Sequence, residues 1–548
     1  MEFSPAARLL LERRYLLPGE TPDALFARVA GAVGGPERSR EFFSLLSRLL
    51  FLPNSPTLMN AGTPAGQLSA CFVLPIEDTL EGIFTSLAHM ALIHRSGGGT
   101  GFSFSRLRPR GDAVNGVVGA ASGPVSFMRV FDAATGAVRQ GGRRRGANMG
   151  VLAASHPDIE EFVTAKRAGG LRNFNLSVGV DERFLRCLAT GKDYDLTNPR
   201  DGSVSRSIDP ASLWRLIAAS AHASGEPGVL FLDEINRQST TPHLGPIEAT
   251  NPCGEQPLYP YESCNLGSVN LARCIKNHDI DEDLLATVVR CGIDFLDAVI
   301  DANRFPLPVI REKTLATRKI GLGVMGFAET LIRLGIPYES DEALRFAGKL
   351  MEGIEALARE RSEELGAAKG SFPAIEGSVY TNDMRNATVT TIAPTGSLHL
   401  IAGTTSGIEP VFSFAYSRVI DGQQVAIVSD LVRELLPATA GGMDVAEHVR
   451  RHGTVEGLPL ADHTRDLFRT AVDIAPEHHV RMQAAFQRHV DNAVSKTVNL
   501  KETATAGEIA RIFSLARDLG CKGITVYRYR SRPDQVLSRG CDVCIVDD

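Results

Sequence analysis

The chain has 548 residues, with 58 Lys and Arg against 64 Asp and Glu, a formal net charge of −6, and 43% apolar residues. That apolar content at this length supports a large buried core and excludes a disordered protein, and the mildly acidic balance argues against a general nucleic-acid or anionic-membrane binder. Nine cysteines, an odd number spread from Cys71 to Cys544, do not fit a fully paired extracellular framework and point to a reducing, cytoplasmic compartment.

The N-terminus carries Glu2 and Arg8 where a signal peptide would need a basic start and an unbroken apolar run. No window approaches the ~18 uncharged apolar residues of a membrane span. Ser4 followed by Pro5 reads as a helix cap with proline at the first helical position. Residues 1–50 read as a helical region, with apolar residues at helical spacing around Leu25, Val29 and Val33 and again from Phe42 to Leu50.

From residue 51 the texture changes to short apolar runs broken by Gly, Pro and Asn. Cys71–Ile76 and Phe174–Val180 read as strands, the second by strict alternation. A helix is expected from Glu282 to about Asp301, and another from behind Ser340 to a stop before Gly370. Thr505 and Glu508 form a capping-box pattern opening a helix that Gly520 closes, and Gly523–Arg528 follows as a strand. Alternating strands and helices over this length indicate an α/β architecture in one large domain, residues 51–530. Residues 531–548 lose periodicity and read as a mobile tail.

The densest chemistry lies in Asn251-Pro-Cys253-Gly-Glu255, with Cys264 a short distance on. A lone cysteine in a turn is more often a buried core thiol. Here an amide, a thiol and a carboxylate alternate, and in extended geometry alternate residues share a face, so the three could converge on one ligand with acid/base and thiol chemistry together. Cys187, Cys274, Cys291 and Cys521 lie in apolar, mostly helical contexts and read as core thiols. Cys541-Asp-Val-Cys544 is, alone, ambiguous between half a zinc site, a redox pair and no role at all, and no second CxxC or close histidine stands in the tail to complete a zinc site.

The stretch Asn251–Leu258, with Tyr261-Glu-Ser-Cys-Asn-Leu-Gly behind it, resembles the active-site loop of ribonucleotide reductases, most of all the class II, adenosylcobalamin-dependent type. Asn54–Gly62, Ser69–Leu74, Ser96–Phe102, Gly141–Gly150, Thr317–Phe327, Ala393–Ser397 and Gly520–Arg528 resemble the same family in the same order. The resemblance implies a ten-stranded α/β barrel of two five-stranded halves around a finger loop, preceded by the helical N-terminal region and followed by a redox tail. It implies that Cys253 is the thiyl-radical residue, Glu255 the base for the 3′-hydroxyl, Asn251 the amide on the same sugar edge, and Cys71 with Cys264 the reducing pair. Cys541 and Cys544 would be the tail dithiol that re-reduces it.

By the same resemblance the substrate contacts are Thr57, Ala70, Gly98, Gly99 and the phosphate loop Pro394, Thr395, Gly396, Ser397 and Leu398, with His399 where serine is common. Gln140, Arg143, Arg144, Arg145 and Asn148 match the loop between substrate base and a deoxynucleotide effector, and Ala121–Phe127 its neighbour. A ribonucleotide substrate (a diphosphate by subgroup), a thioredoxin-like or other dithiol reductant and a homodimer follow as expected partners, with cobalt held in the cofactor and no metal held by protein ligands. No ATP-binding cone is visible in the N-terminal region. The alternatives are a class I large subunit, whose radical would come from a partner through a tyrosine pair such as Tyr527 and Tyr529, or a non-catalytic nucleotide-binding relative.

Overall fold

The computed structural model describes residues 3–114, 116–117, 119–140, 144–167, 169–420, 422–531 and 537–540, with backbone alone for 139, 140, 144, 145 and 537–539. Local signals in the sequence produce the N-terminal helices directly. Ser4 Oγ accepts from the Ala7 amide ahead of a short helix at Pro5–Leu10. Thr21 caps helix α1 (Pro22–Ser47), which kinks at Gly35 before Pro36 because proline cannot continue the hydrogen-bond ladder. The buried face of α1, including Leu25, Phe26, Val29 and Phe42, joins the same core as the barrel. Phe42 meets Phe295 edge-on with ring centroids 5.0 Å apart, and Phe51 meets the same ring at 5.5 Å. Each such buried ring stabilises the fold by about 1.5–3 kcal/mol, so the helical region is an integral wall of the barrel.

Five strands in chain order form one half of the barrel: β1 (Cys71–Leu74), β2 (Gly99–Ser103), β3 (Asn148–Ala153), β4 (Phe174–Val180) and β5 (Gly228–Phe231). They pair side by side and all parallel. Helices α2 (Leu80–Arg95) and α3 (Pro124–Ala137) are among the crossovers, as parallel pairing requires.

The second half begins with β6 (Ser263–Asn270) and, after helix α4 (Glu282–Ala302), β7 (Ile320–Met325), parallel to β6 with Asn265 opposite Ile320. Helix α5 (Asp341–Lys369) leads to an extended segment in which Thr390 bridges Leu322 and Ile392 bridges Val494. A hairpin of β8 (Ala415–Ile420) and β9 (Gln423–Val428) projects before the chain returns to β10 (Thr497–Leu500). Helix α6 (Ala506–Asp518) and β11 (Gly523–Arg528), parallel to β10, complete the barrel. The halves meet antiparallel at both seams, β1 with β6 and β5 with β11. Two parallel five-stranded halves therefore close on each other, as the sequence resemblance implied.

The caps expected at Ser340, at Thr505 and Glu508, and at Gly370 are all present. Within residues 531–548, β12 (Leu537–Arg539) pairs antiparallel with β8. No described helix is long and apolar enough to cross a membrane.

Candidate active site

Residues 249–258 form a small hairpin, Ala249–Thr250 against Pro257–Leu258, that enters the barrel interior. Space for it comes from glycines on β2. A Cβ on Gly101 would collide with the Thr250 carbonyl, and one on Gly99 would lie 2.9 Å from the Pro252 ring. Only glycine lets the two backbones approach this closely. The loop tip is closed by reciprocal bonds: the Asn251 amide donates to the Gln256 carbonyl (3.1 Å), and the Gln256 amide donates to Asn251 Oδ1 (2.9 Å). Asn175 Nδ2 holds the Pro252 carbonyl from β4 (2.8 Å), and Ala493 N donates to the Glu255 carbonyl (2.9 Å).

This tip projects into a cleft of ≈270 Å³, within reach of the size of small-molecule sites. Its walls include Asn251, Cys253 and Glu255 from the loop, Ala70 and Cys71 from β1 and its approach, and Gly98 and Gly99 from β2 and its approach. The segment Pro394–Leu398 closes another side. Asn251 Nδ2 lies 3.1 Å from Cys71 Sγ, and Glu255 Oε1 lies 4.0 Å from the same sulfur. Asn251 and Glu255 are buried, whereas Cys253 is exposed. Carboxylate, amide and two thiols thus face one space, the convergence that the alternating Asn251, Cys253 and Glu255 suggested.

Cys264 stands opposite Cys71 in the antiparallel pairing of β6 with β1. Cross-strand Cα separations of about 4.5–5.5 Å fall within the range a disulfide spans. Both thiols are free in the structure. Cys264 does not line the cleft; it is fully buried, and its Sγ donates towards the Asn265 and Lys319 carbonyls at 3.4 Å. Burial pushes its pKa well up, and the nearby Lys319 ammonium opposes that shift. Lys319 itself is buried, 2.8 Å from Glu262 and over the Tyr259 ring.

The Pro394–Leu398 segment is pinned from behind. Thr395 adopts a left-handed φ of 48°, its Oγ1 accepts from Gly407 N (2.8 Å), Ser406 Oγ donates to the Pro394 carbonyl, and Arg418 Nη1 donates to the Gly396 carbonyl (3.0 Å). A left-handed residue amid right-handed ones turns successive N–H groups to one side, the geometry of an anion nest. His399 bonds the Thr395 carbonyl through Nδ1 (2.9 Å), and desolvation lowers its pKa to about 4, so it is neutral near pH 7.

Thr57, expected among the substrate contacts, does not line the cleft. It is buried, with Oγ1 donating to the Leu68 carbonyl (2.9 Å), while its neighbours Asn54 and Ser55 line the wall. Asn148 is likewise internal: it accepts from Thr100 Oγ1 (2.7 Å) and donates to Thr135 Oγ1 (2.8 Å). Gln140 and Arg144 face each other in a short hairpin, with Arg145 opposite Arg139. Arg143, Cys541 and Cys544 lie outside the described residues. Sequence reasoning missed Arg14 and Tyr15, which the N-terminal helices bring to the cleft wall, and Met59 beside them. A solvated Arg-Arg-Tyr pattern gives no sign of such a role. Cys274, Cys291 and Cys521 are buried thiols, as read from their apolar contexts, and Cys187 is half-buried.

Comparison with known proteins agrees with this geometry. The family model for the ribonucleotide reductase barrel domain matches residues 69–384 and 374–527, and that for the ribonucleotide reductase all-alpha domain matches residues 1–66. The chain is 50% identical to the vitamin B12-dependent ribonucleoside-diphosphate reductase of Mycobacterium tuberculosis, over 98% of this chain and 81% of the relative. It is 49% identical to the protein of the same name from Thermoplasma acidophilum, over 94% and 68%. Identity to the ribonucleoside-diphosphate reductase subunit alpha of Chlamydia pneumoniae is 27%, over 90% and 54%. The chain therefore belongs to the ribonucleotide reductase family, and its likeness is strongest toward the vitamin B12-dependent group of it.

Proposed function

We propose that this protein reduces ribonucleoside diphosphates to 2′-deoxyribonucleoside diphosphates by thiyl-radical chemistry with adenosylcobalamin. The observation that carries the reading is the meeting of Cys71, Asn251, Cys253, Glu255 and the Pro394–Leu398 loop in one cleft, with Cys264 directly across from Cys71. The residues fit the cofactor. Among the described cysteines only Cys253 is exposed, so its sulfur is open to a group arriving from the cleft, and Ala147 and Pro252 beside it form the small-residue wall that would receive an adenosyl group. When bound, the cofactor supplies the radical that oxidises the Cys253 thiol.

The Cys253 thiyl takes the 3′ hydrogen of the ribose while Glu255 takes the proton of the 3′-hydroxyl and Asn251 holds that edge. The 2′-hydroxyl leaves as water on protonation from the Cys71 side. Cys71 and Cys264 together give two electrons and two protons and end as a disulfide; the 3′ hydrogen returns from Cys253, so the radical is recovered. An external dithiol, through Cys541 and Cys544, gives back two electrons and two protons and leaves oxidised.

The exposed apolar residues of α2, Leu80, Phe84 and Leu92, lie on one helical face next to α3 with its exposed Val130, and this supports a homodimer formed across these helices. The pairing of residues 139–140 with 144–145 supports the loop through which a deoxynucleotide effector would select the base. Purified protein assayed with a ribonucleoside diphosphate and dithiothreitol should form product only when adenosylcobalamin is added. Activity that ignores cobalamin and requires a second subunit would overturn the reading, and turnover of triphosphates alone would overturn the substrate assignment.

A further inference from the structure

The Pro394–Leu398 segment owes its shape to a second segment, residues 404–409, laid against it. Thr395 is β-branched, and its left-handed φ of 48° is a conformation such residues avoid unless their surroundings impose it. Residues 404–409 impose it. Gly407 N donates to Thr395 Oγ1 (2.8 Å), and Ser406 Oγ donates to the Pro394 carbonyl. The two backbones come closest at Gly407, where a Cβ would lie 2.9 Å from the Ala393 carbonyl.

Residues 404–409 are in turn bolted to the barrel at both ends. Thr404 Oγ1 donates to Glu329 Oε2 (2.7 Å) in the Phe327–Leu334 helix, and the Thr405 carbonyl accepts from Gly326 N (2.8 Å) at the start of that helix. At the other end the Ile408 carbonyl accepts from Tyr338 Oη (2.8 Å). Glu409 reaches the start of β10: Oε1 accepts from Thr497 N and Oε2 from Lys496 Nζ, both at 2.7 Å. The Lys496 side chain is fully buried, and its ammonium also donates to His479 Nδ1 (3.1 Å) in the Pro476–Gln487 helix. His479 gives its Nε2 proton to the Ala471 carbonyl (2.8 Å), which leaves Nδ1 as an acceptor, and burial with the Lys496 charge beside it keeps the ring neutral. An ammonium with no water to turn toward holds its acceptors in one arrangement. Neither Lys496 nor Glu409 lines the cleft.

We infer that residues 404–409 are a brace that fixes the anion nest of Pro394–Leu398, with Glu409 and Lys496 as positioning residues for the substrate's phosphates, an inference that rests on the reading of that loop as the phosphate site. A nest binds through N–H groups that are already aimed, so a brace removes the cost of ordering the loop when the anion arrives. Loosening the brace weakens the hold on the diphosphate and leaves the chemistry at Cys253 as it was, because no brace residue touches the reacting atoms.

Hydrogen exchange followed by mass spectrometry on the full chain, with inorganic pyrophosphate as the probe, tests the brace without any turnover. In the unsubstituted protein pyrophosphate should slow exchange in the peptide spanning 394–400. Glu409→Gln keeps an acceptor for Thr497 N but loses the ion pair, and Ser406→Ala removes only the bond to the Pro394 carbonyl. Each should need about three- to ten-fold more pyrophosphate for the same protection. Ser406 stands apart from the buried ion pair, so its variant decides the point if the Glu409 variant does not fold. In turnover, KM for the diphosphate should rise by the same factor with kcat nearly unchanged. A segment that only stabilised the fold would lower the melting temperature and leave the pyrophosphate requirement and KM in place, and that result overturns the brace. Absence of protection in the unsubstituted protein sinks the phosphate reading of the loop and the brace with it. Failure of the unsubstituted protein to reduce any ribonucleotide would instead sink the enzymatic reading, while the exchange result stands by itself.

Discussion

Cys71 and Cys264 face each other across adjacent antiparallel strands, yet only Cys71 opens on the cleft. A disulfide between them would present one sulfur to an incoming thiolate and hide the other. Attack therefore falls on Cys71, and Cys264 leaves as the buried thiolate, beside Lys319. In the reduced protein the same asymmetry governs alkylation. Iodoacetamide should modify Cys253 before Cys71, and Cys264 should stay unmodified until the protein unfolds. The raised pKa of Cys264 keeps its thiolate scarce even in mildly alkaline buffer, which widens the gap. Peptide mapping that found Cys264 alkylated as fast as Cys71 would remove this assignment of direction.

Glu255 is buried in the finger loop and lies near the Cys71 sulfur. A group that moves a proton in the transition state contributes about 10²–10⁴ in rate. Glu255→Gln should lower kcat by an amount in that range and leave KM for the diphosphate nearly unchanged. Cys253→Ser should abolish turnover entirely, because a hydroxyl cannot take the place of the thiyl. A Glu255→Gln variant with full kcat would take the base role from this residue.

Much of the fold is legible in the sequence because the signals are local. Ser340, Thr505 and Glu508 cap their helices through side chains three residues from the amides they satisfy, and the alternation in Phe174–Val180 needs no partner to be read. The site is legible only where its residues are close in the chain. Asn251, Cys253 and Glu255 suggest a joint role by themselves, whereas the meeting of Cys71 with Cys264 depends on the seam between two half-barrels and came from the family resemblance. The pairing of residues 537–540 had no signal, since a three-residue edge strand carries too few side chains to show a period. Arg14 and Tyr15 reach the cleft through packing of the N-terminal helices, which no local pattern encodes.

Lys319 and Glu262 form a buried ion pair at 2.8 Å, with side chains only 3% and 2% exposed. Glu262 is held further by Thr317 Oγ1 and the Tyr259 amide. Removing one member leaves the other charged and without its partner, a loss of about 3–5 kcal/mol. Lys319→Met should therefore lower the urea midpoint sharply. Replacing both, with Glu262→Gln added, should recover a large part of that loss, because the stranded charge is gone. If the double variant is less stable than the single one by a further full increment, the pair does not act as a unit.

The exposed face of α2 offers a direct test of association. Phe84 is 50% exposed and Leu80 61%, and a two-fold interface would use the same face twice. Phe84→Glu would lose two buried rings and place two like charges together, at least about 3 kcal/mol and ~100-fold in Kd. Sedimentation velocity should show a dimer for the unsubstituted protein and a monomer for the variant at equal concentration. A monomer in both cases would rule out this face as a dimer interface. Effector control of base choice should weaken together with the dimer.

His399 sets an acid limit on the stability of the Pro394–Leu398 loop it adjoins. Its folded-state pKa is lowered to about 4 by desolvation, against about 6.5 in an unfolded chain. Below pH 6.5 the unfolded state therefore binds a proton that the folded state does not. Stability falls as pH drops from about 6.5 toward 4 and levels off, for this group, once the folded state is protonated too. Above pH 7 the ring is neutral in both states and contributes no pH dependence. His399→Ser should remove about one proton from the slope of unfolding free energy against pH in this window. An NMR titration should find the ring resonance of His399 unmoved between pH 7 and 5. A midpoint near 6.5 for that resonance would contradict the desolvation of the half-buried ring beside the Thr395 carbonyl.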